Sequence, residues 1–150
     1  MRMYGVAVLA IVSLSAGILS HAADGNADDA AVTKELQAFK GTWTLSAKEE
    51  DGKKFSAEEI KDIIGTGDGL GKFSVQRGDQ VIGAATVKLD PTTKPKRIDV
   101  SFTEGKHKGQ TLLGIYEIDS DAFRVCVARP GDERPAEFSA KAGSGRTLIG

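Results

Sequence analysis

Residues equipped for chemistry are few in this chain, and most stand alone. Cys126 is the single cysteine, and His107 is one of two histidines. Hydrolysis by a Ser-His-Asp or Cys-His arrangement needs a histidine held between a nucleophile and an orienting acid. His107 instead lies in a turn between Lys106 and Lys108, the setting of a solvated surface group. Cys126 sits in the apolar run 123–128, where a thiol packs as a small hydrophobe. Zinc and similar ions want three or four His or Cys ligands, and the same shortage argues against them. No catalytic residue, metal site or cofactor is expected.

The glycine-rich stretch 65–72 invites a phosphate-loop reading, but Thr66 stands where the first glycine should be and Phe73 replaces the hydroxyl residue. It also precedes a predicted strand, the reverse of the strand-loop-helix order that lets a helix N-terminus hold phosphate, so it reads as a flexible connection. Arg77, Gly78 and Asp79 spell a cell-adhesion tripeptide, yet they fall where two short strands need a turn. The acidic pairs Glu49 with Glu50 and Asp132 with Glu133 lie in predicted loops beside cations and read as solvated charge. Lys94, Lys96 and Arg97, like Lys106 and Lys108, flank a proline or glycine and read as turns.

The first residues carry a basic Arg2, an apolar run over 5–19, and then small residues at a cleavage site. That is the pattern of a secretory signal over residues 1–22, and the run is too short for a membrane-spanning helix. No cysteine follows the run to accept a lipid, so no membrane anchor is expected after cleavage, and the protein is placed in the periplasm or outside the cell. Removing Arg2 from the 20 basic residues leaves 19 against 21 acidic ones, with no basic face dense enough for nucleic acid. With one cysteine no internal disulfide forms, so an apolar core must hold the exported domain together.

Residues 23–31 are acidic and alanine-rich without apolar periodicity and are expected as a flexible leader before a single domain over 32–150. Val32, Leu36 and Phe39 then make one stripe on a short helix that stops at Gly41. Trp43 and Leu45 alternate with threonines and serine, which predicts a half-buried strand. Asp51 and Gly52 turn the chain. Ser56 and Glu59 form a capping box for a second short helix carrying Ile60, Ile63 and Ile64 and ended by Gly65. Strands follow over 71–77, 81–89, 98–103, 112–118 and 123–128, then at Phe138 and Leu148. The total is about eight antiparallel strands, for which a closed up-and-down barrel removes the exposed edges that a sandwich leaves.

Gly41 and Trp43 repeat the Gly-x-Trp triplet that lipocalins and fatty-acid-binding proteins carry on their first strand. Asp90, Pro91, Pro95, Lys96, Ile98, Asp99, Gly114, Ile115, Tyr116, Cys126, Arg134, Pro135 and Phe138 follow in order. Over 36–148 this succession resembles an uncharacterised lipocalin-like domain family best known from planctomycete bacteria. The resemblance implies an exported calycin-type barrel in which the first-strand tryptophan packs against an arginine near the C-terminus. Arg146 is the nearby candidate, so either it covers Trp43, or the pair is absent and the final strand is frayed. The family brings no activity with it.

Two non-enzymatic functions fit the same inner residues. One is an envelope interaction module with a largely filled barrel, its loops meeting an envelope protein. The other is a carrier of a small apolar ligand in a shallow pocket lined by Leu45, Phe73, Val100, Phe102, Tyr116 and Val125, with the Tyr116 hydroxyl as a polar handle. An eight-stranded barrel is just wide enough for side chains to fill, which weighs toward the first. Gly83, Ala84 and Ala85 are the one place where small residues open a gap, and a bulge there would swap the faces. A monomer is expected in either case.

Overall fold

Among the described residues, alternation of apolar and polar side chains gives ten antiparallel strands, with two helices beside them. The computed structural model describes residues 20–150, with side chains from residue 28 onward. The predicted signal segment, residues 1–22, lies almost wholly outside the described residues. The elements are α1 (Ser20–Ala38), β1 (Gly41–Thr44), β2 (Lys48–Glu50), β3 (Lys53–Lys54), α2 (Ala57–Ile60) and β4 (Ile63–Gly67). They continue with β5 (Lys72–Arg77), β6 (Gln80–Asp90), β7 (Lys96–Gly105), β8 (Thr111–Ile118), β9 (Phe123–Val127) and β10 (Thr147–Ile149).

All ten strands belong to one curled sheet in the order β1-β4-β5-β6-β7-β8-β9-β10-β2-β3. The first and ninth positions in that order are parts of one bent segment, because only Leu45, Ser46 and Ala47 separate β1 from β2. Its first half pairs with β4 and its second half with β10. At the bend, the Ser46 and Ala47 amides donate to the Gly150 carbonyl at 2.7 and 2.9 Å, and the Gly150 amide returns a bond to Ala47 at 3.0 Å. The sheet is therefore barrel-like, its two margins joined by a shared segment that leaves few unpaired edges.

The strand count departs from about eight for identifiable reasons. The first predicted strand ends at the bend, β2 forms at Lys48–Glu50 although Glu49 and Glu50 are expected in a loop, and the Asp51-Gly52 turn, with φ of 47° and 86°, adds the two-residue β3. The Ser56–Glu59 capping box forms, but α2 makes only one turn before β4 begins at Ile63. Ile63, Ile64 and Gly65, expected as the end of a helix, are strand instead, and so are Thr66 and Gly67 of the expected flexible connection. Strand pairing on both sides, to β1 and β5, outweighs the helical spacing of the isoleucines. Conversely, no strand forms at Phe138. The segment 129–146 contains Pro130 and Pro135, which have no amide to give a ladder, and it crosses the outer face of the sheet as an irregular cover.

That cover is pinned by Arg134, whose guanidinium donates to the carbonyls of Ile98 at 3.0 Å and Gly114 at 2.7 Å and to Asp99 Oδ1 at 2.7 Å. Pro135 and Ala140 are buried, and Cys126 on the outward face of β9 places its Sγ 3.5 Å from the Ser139 carbonyl. Burial raises the Cys126 pKa, so the thiol is held protonated.

Helix α1 is longer than its apolar stripe predicts and takes in residues 23–31, expected as a flexible leader. Alanines there favour a helix even without packing, and Asp28, Asp29 and Ala30 are exposed. Its C-terminal turn, with Leu36 and then Phe39, packs into one end of the curled sheet.

Candidate functional site

Register fixes which side chains share the concave face. Trp43 faces Gly65, which faces Val75, which faces Gly83. Phe73 faces Ala85, and Ala85 faces Phe102 across the bulge between Ala84 and Ala85. Val87 pairs with Val100 and Leu89 with Ile98, and on the other side Tyr116 pairs with Val125, which pairs with Ile149. Alternate residues of a strand point to opposite faces, so these belong to one interior.

At the α1 end this interior is full. Phe39 is 5% exposed and meets Phe73, Tyr116 and Phe123 with ring centroids 6.0, 5.7 and 5.7 Å away. Polar contacts tie the helix down around it. The Trp43 indole N–H donates to the Phe39 carbonyl at 3.0 Å, and Gln37 Nε2 donates to the Gly69 carbonyl at 2.8 Å. Glu35 receives the Tyr116 hydroxyl on Oε2 at 2.9 Å and Lys96 Nζ on Oε1 at 2.8 Å. Burial, then the bond to the Glu35 carboxylate and its charge, push the Tyr116 pKa well above the usual phenol range.

Beyond the aromatic cluster, the interior holds a cavity of about 150 Å³. Leu45, Phe73, Val100, Phe102 and Val125, five of the six residues expected to line a pocket, share its wall. Tyr116 does not. Its hydroxyl is occupied by Glu35 at the helix, so it is no polar handle for a ligand. Residues not expected in the pocket complete the wall, chiefly Phe39, Gly65, Val75, Val87, Phe123 and Ile149, with Trp43 among them. Gly83, Ala84 and Ala85 line it as well. The wall contains no hydroxyl, amide, carboxylate or ammonium side chain, and the Trp43 N–H is already bonded to Phe39.

Arg146 does not cover Trp43. Its backbone carbonyl accepts from the Asp51 amide at 2.9 Å, which sets it eight residues along the bent segment from Trp43, at the opposite end. Trp43 meets Phe123 edge-on instead, centroids 5.0 Å apart, and among the described residues no cation lies over its ring. The final strand is nonetheless held, since β10 pairs with β9 on one side and β2 on the other. Gly41, with φ of 122°, turns the chain from α1 into β1.

At the end away from α1, a polar cleft lies among Glu50, Asp51, Lys106, His107, Arg129 and Asp132. Its charges are largely neutralised locally. Arg129 Nε lies 3.0 Å from Asp132, Lys106 Nζ lies 3.9 Å from Glu50, and Asp51 accepts the Gly145 amide at 2.8 Å. His107 rests against the Phe102 ring at 5.5 Å, with Nδ1 3.2 Å from Gln110 Oε1. Among the described residues no group of three or more His, Cys, Asp and Glu is placed to hold a metal ion, and no helix is long and apolar enough to cross a membrane.

No family model, curated protein or solved structure matches this chain.

Proposed function

We propose that this protein is an exported, non-enzymatic, lipocalin-like barrel that binds a small apolar molecule in its interior. The observation that carries the reading is the partly open cavity of about 150 Å³, lined by apolar side chains from the concave face and bounded at one end by Phe39, just after α1. A calycin-type barrel is supported by the bent segment, for counting it as one wall and setting aside the two-residue β3 gives eight walls. The Gly41-Trp43 triplet and the landmarks after it support membership of the uncharacterised lipocalin-like family named above. The signal pattern of residues 1–22 supports a periplasmic or extracellular location.

The test is native mass spectrometry of the mature protein taken from its own host's envelope, with extraction of whatever is bound. A stoichiometric adduct that survives purification and leaves on unfolding is the expected result. Repeated absence of an adduct, with Trp43 emission indifferent to a panel of apolar probes, would falsify the carrier.

A second reading, the filled module whose loops meet an envelope protein, is favoured by Val81 and Ile82. They are 45% and 39% exposed at the start of β6, beside the β5–β6 turn. Loss of a co-purifying protein on Val81→Ser with Ile82→Ser, without loss of any small-molecule adduct, would support that reading.

A further inference from the structure

We infer that the cavity is a site for a single uncharged, ring-sized hydrocarbon group, and that Gly83 sets its depth. The inference rests on the proposed binding role and adds the class of ligand.

Volume limits the ligand first. About 150 Å³ is the size of an apolar cavity that stays dry and takes one benzene-sized ring. A long acyl chain exceeds that volume and would leave much of its length outside the cavity. Chemistry limits it second. The wall offers no side-chain hydrogen-bond partner, because the Trp43 N–H is bound to the Phe39 carbonyl and Tyr116 points its hydroxyl to Glu35. A carboxylate, hydroxyl or amine inside would be stripped of water with nothing in return.

Gly83 distinguishes a kept space from an accidental gap. Two other inner-face glycines are required by their neighbours: a Cβ on Gly67 would press into the Phe39 carbonyl, and one on Gly114 would lie 2.6 Å from the Cys126 carbonyl. Gly83 has no such neighbour, since a Cβ there comes no nearer than 3.9 Å to the Glu104 carbonyl. Nor is its φ in the left-handed region that favours glycine. A strand interior ordinarily loses stability by carrying glycine. Gly83 lies beside the irregularity where Val75 and Gln76 of β5 pair with Gly83 and Val81, but a Cβ would fit there, so what its absence contributes is room on the cavity wall.

The experiment titrates the purified protein with benzene and toluene, and separately with decanoate, reading the emission of Trp43, the single tryptophan, and the change in Tm. Gly83→Val and Gly83→Ala are treated alike. Benzene and toluene are expected to bind one per chain and raise Tm. Their Kd is expected to weaken about tenfold or more in Gly83→Val and less in Gly83→Ala, with decanoate not binding measurably. Decanoate binding as tightly as toluene, and weakened by the same substitutions, overturns the ring-sized class while the proposed carrier stands. No binding of any probe, by emission or by Tm, overturns both, since the space is then a packing gap.

Discussion

At the α1 end of the interior, Phe39 locks against Phe73, Tyr116 and Phe123, whereas across β4, β5 and β6 the facing inner positions are Gly65, Val75 and Gly83. Both regions sit on one concave face and obey one alternation. They differ in side-chain volume and in polar anchoring. The first region has four polar ties from the helix or its end: Tyr116 and Lys96 to Glu35, Gln37 to Gly69, and Trp43 to Phe39. The second has no side-chain polar tie and leaves space. Stability is thus concentrated where the helix docks, and the cavity lies where removal of side-chain volume threatens the fold least.

Substitutions can break or sharpen this contrast. The largest effect is expected from Phe39→Ala, which empties the centre of the aromatic cluster and should cost about 3–5 kcal/mol in urea unfolding. A loss below about 1 kcal/mol would mean that the helix docks too loosely to close the interior. Next comes Gly67→Ala, whose methyl meets the Phe39 carbonyl and lies 2.8 Å from the Phe73 ring. About 1–3 kcal/mol is expected from the forced shift.

Tyr116→Phe removes the hydroxyl from Glu35 but leaves the Lys96 pair, and a loss of about 1–2 kcal/mol is expected. Its pH signature is more specific than its size. Because the folded state holds the phenol proton more tightly than the unfolded state, Tyr116 gives its full contribution below about pH 10 and loses it as pH rises further. Denaturation midpoints of the native protein should therefore fall more steeply above that pH than those of Tyr116→Phe. Parallel curves would remove the Glu35 bond from the account.

The smallest effect belongs to the open side. Gly83→Ala should leave stability unchanged or raise it by about 0.5–1 kcal/mol, since alanine suits a strand interior better than glycine and meets no close neighbour. A loss comparable to that of Gly67→Ala would erase the distinction between the two regions.

Much of this interior was legible in the sequence where alternation is clean. Ile98, Val100 and Phe102 on β7, and Phe123 and Val125 on β9, show their face by period two alone. β4 was hidden because Ile60, Ile63 and Ile64 also satisfy helical spacing, and because Gly65 and Gly67 have no side chains to reveal a face. On β6 the small residues were visible, but the bulges that set their facing depend on partners in β5 and β7. The partner of Tyr116 lies 81 residues away on α1, a relation no local pattern encodes. Phe138 is expected on a short strand after the loop that holds Pro130 and Pro135. In the fold, Arg124 lies over its ring at 4.2 Å, and it belongs to the outer cover.

The bent segment that joins the margins of the sheet also bears on how the chain folds. Ala47 and Gly150 exchange backbone bonds across roughly a hundred residues of chain, so loop-closure entropy must be met before that contact forms. Such topology folds slowly for its size, on the millisecond-to-second scale. Until β10 docks, β9 and β2 each present an unpaired edge to other molecules. Aggregation during refolding should then follow the lifetime of that unclosed intermediate more closely than the stability of the finished protein.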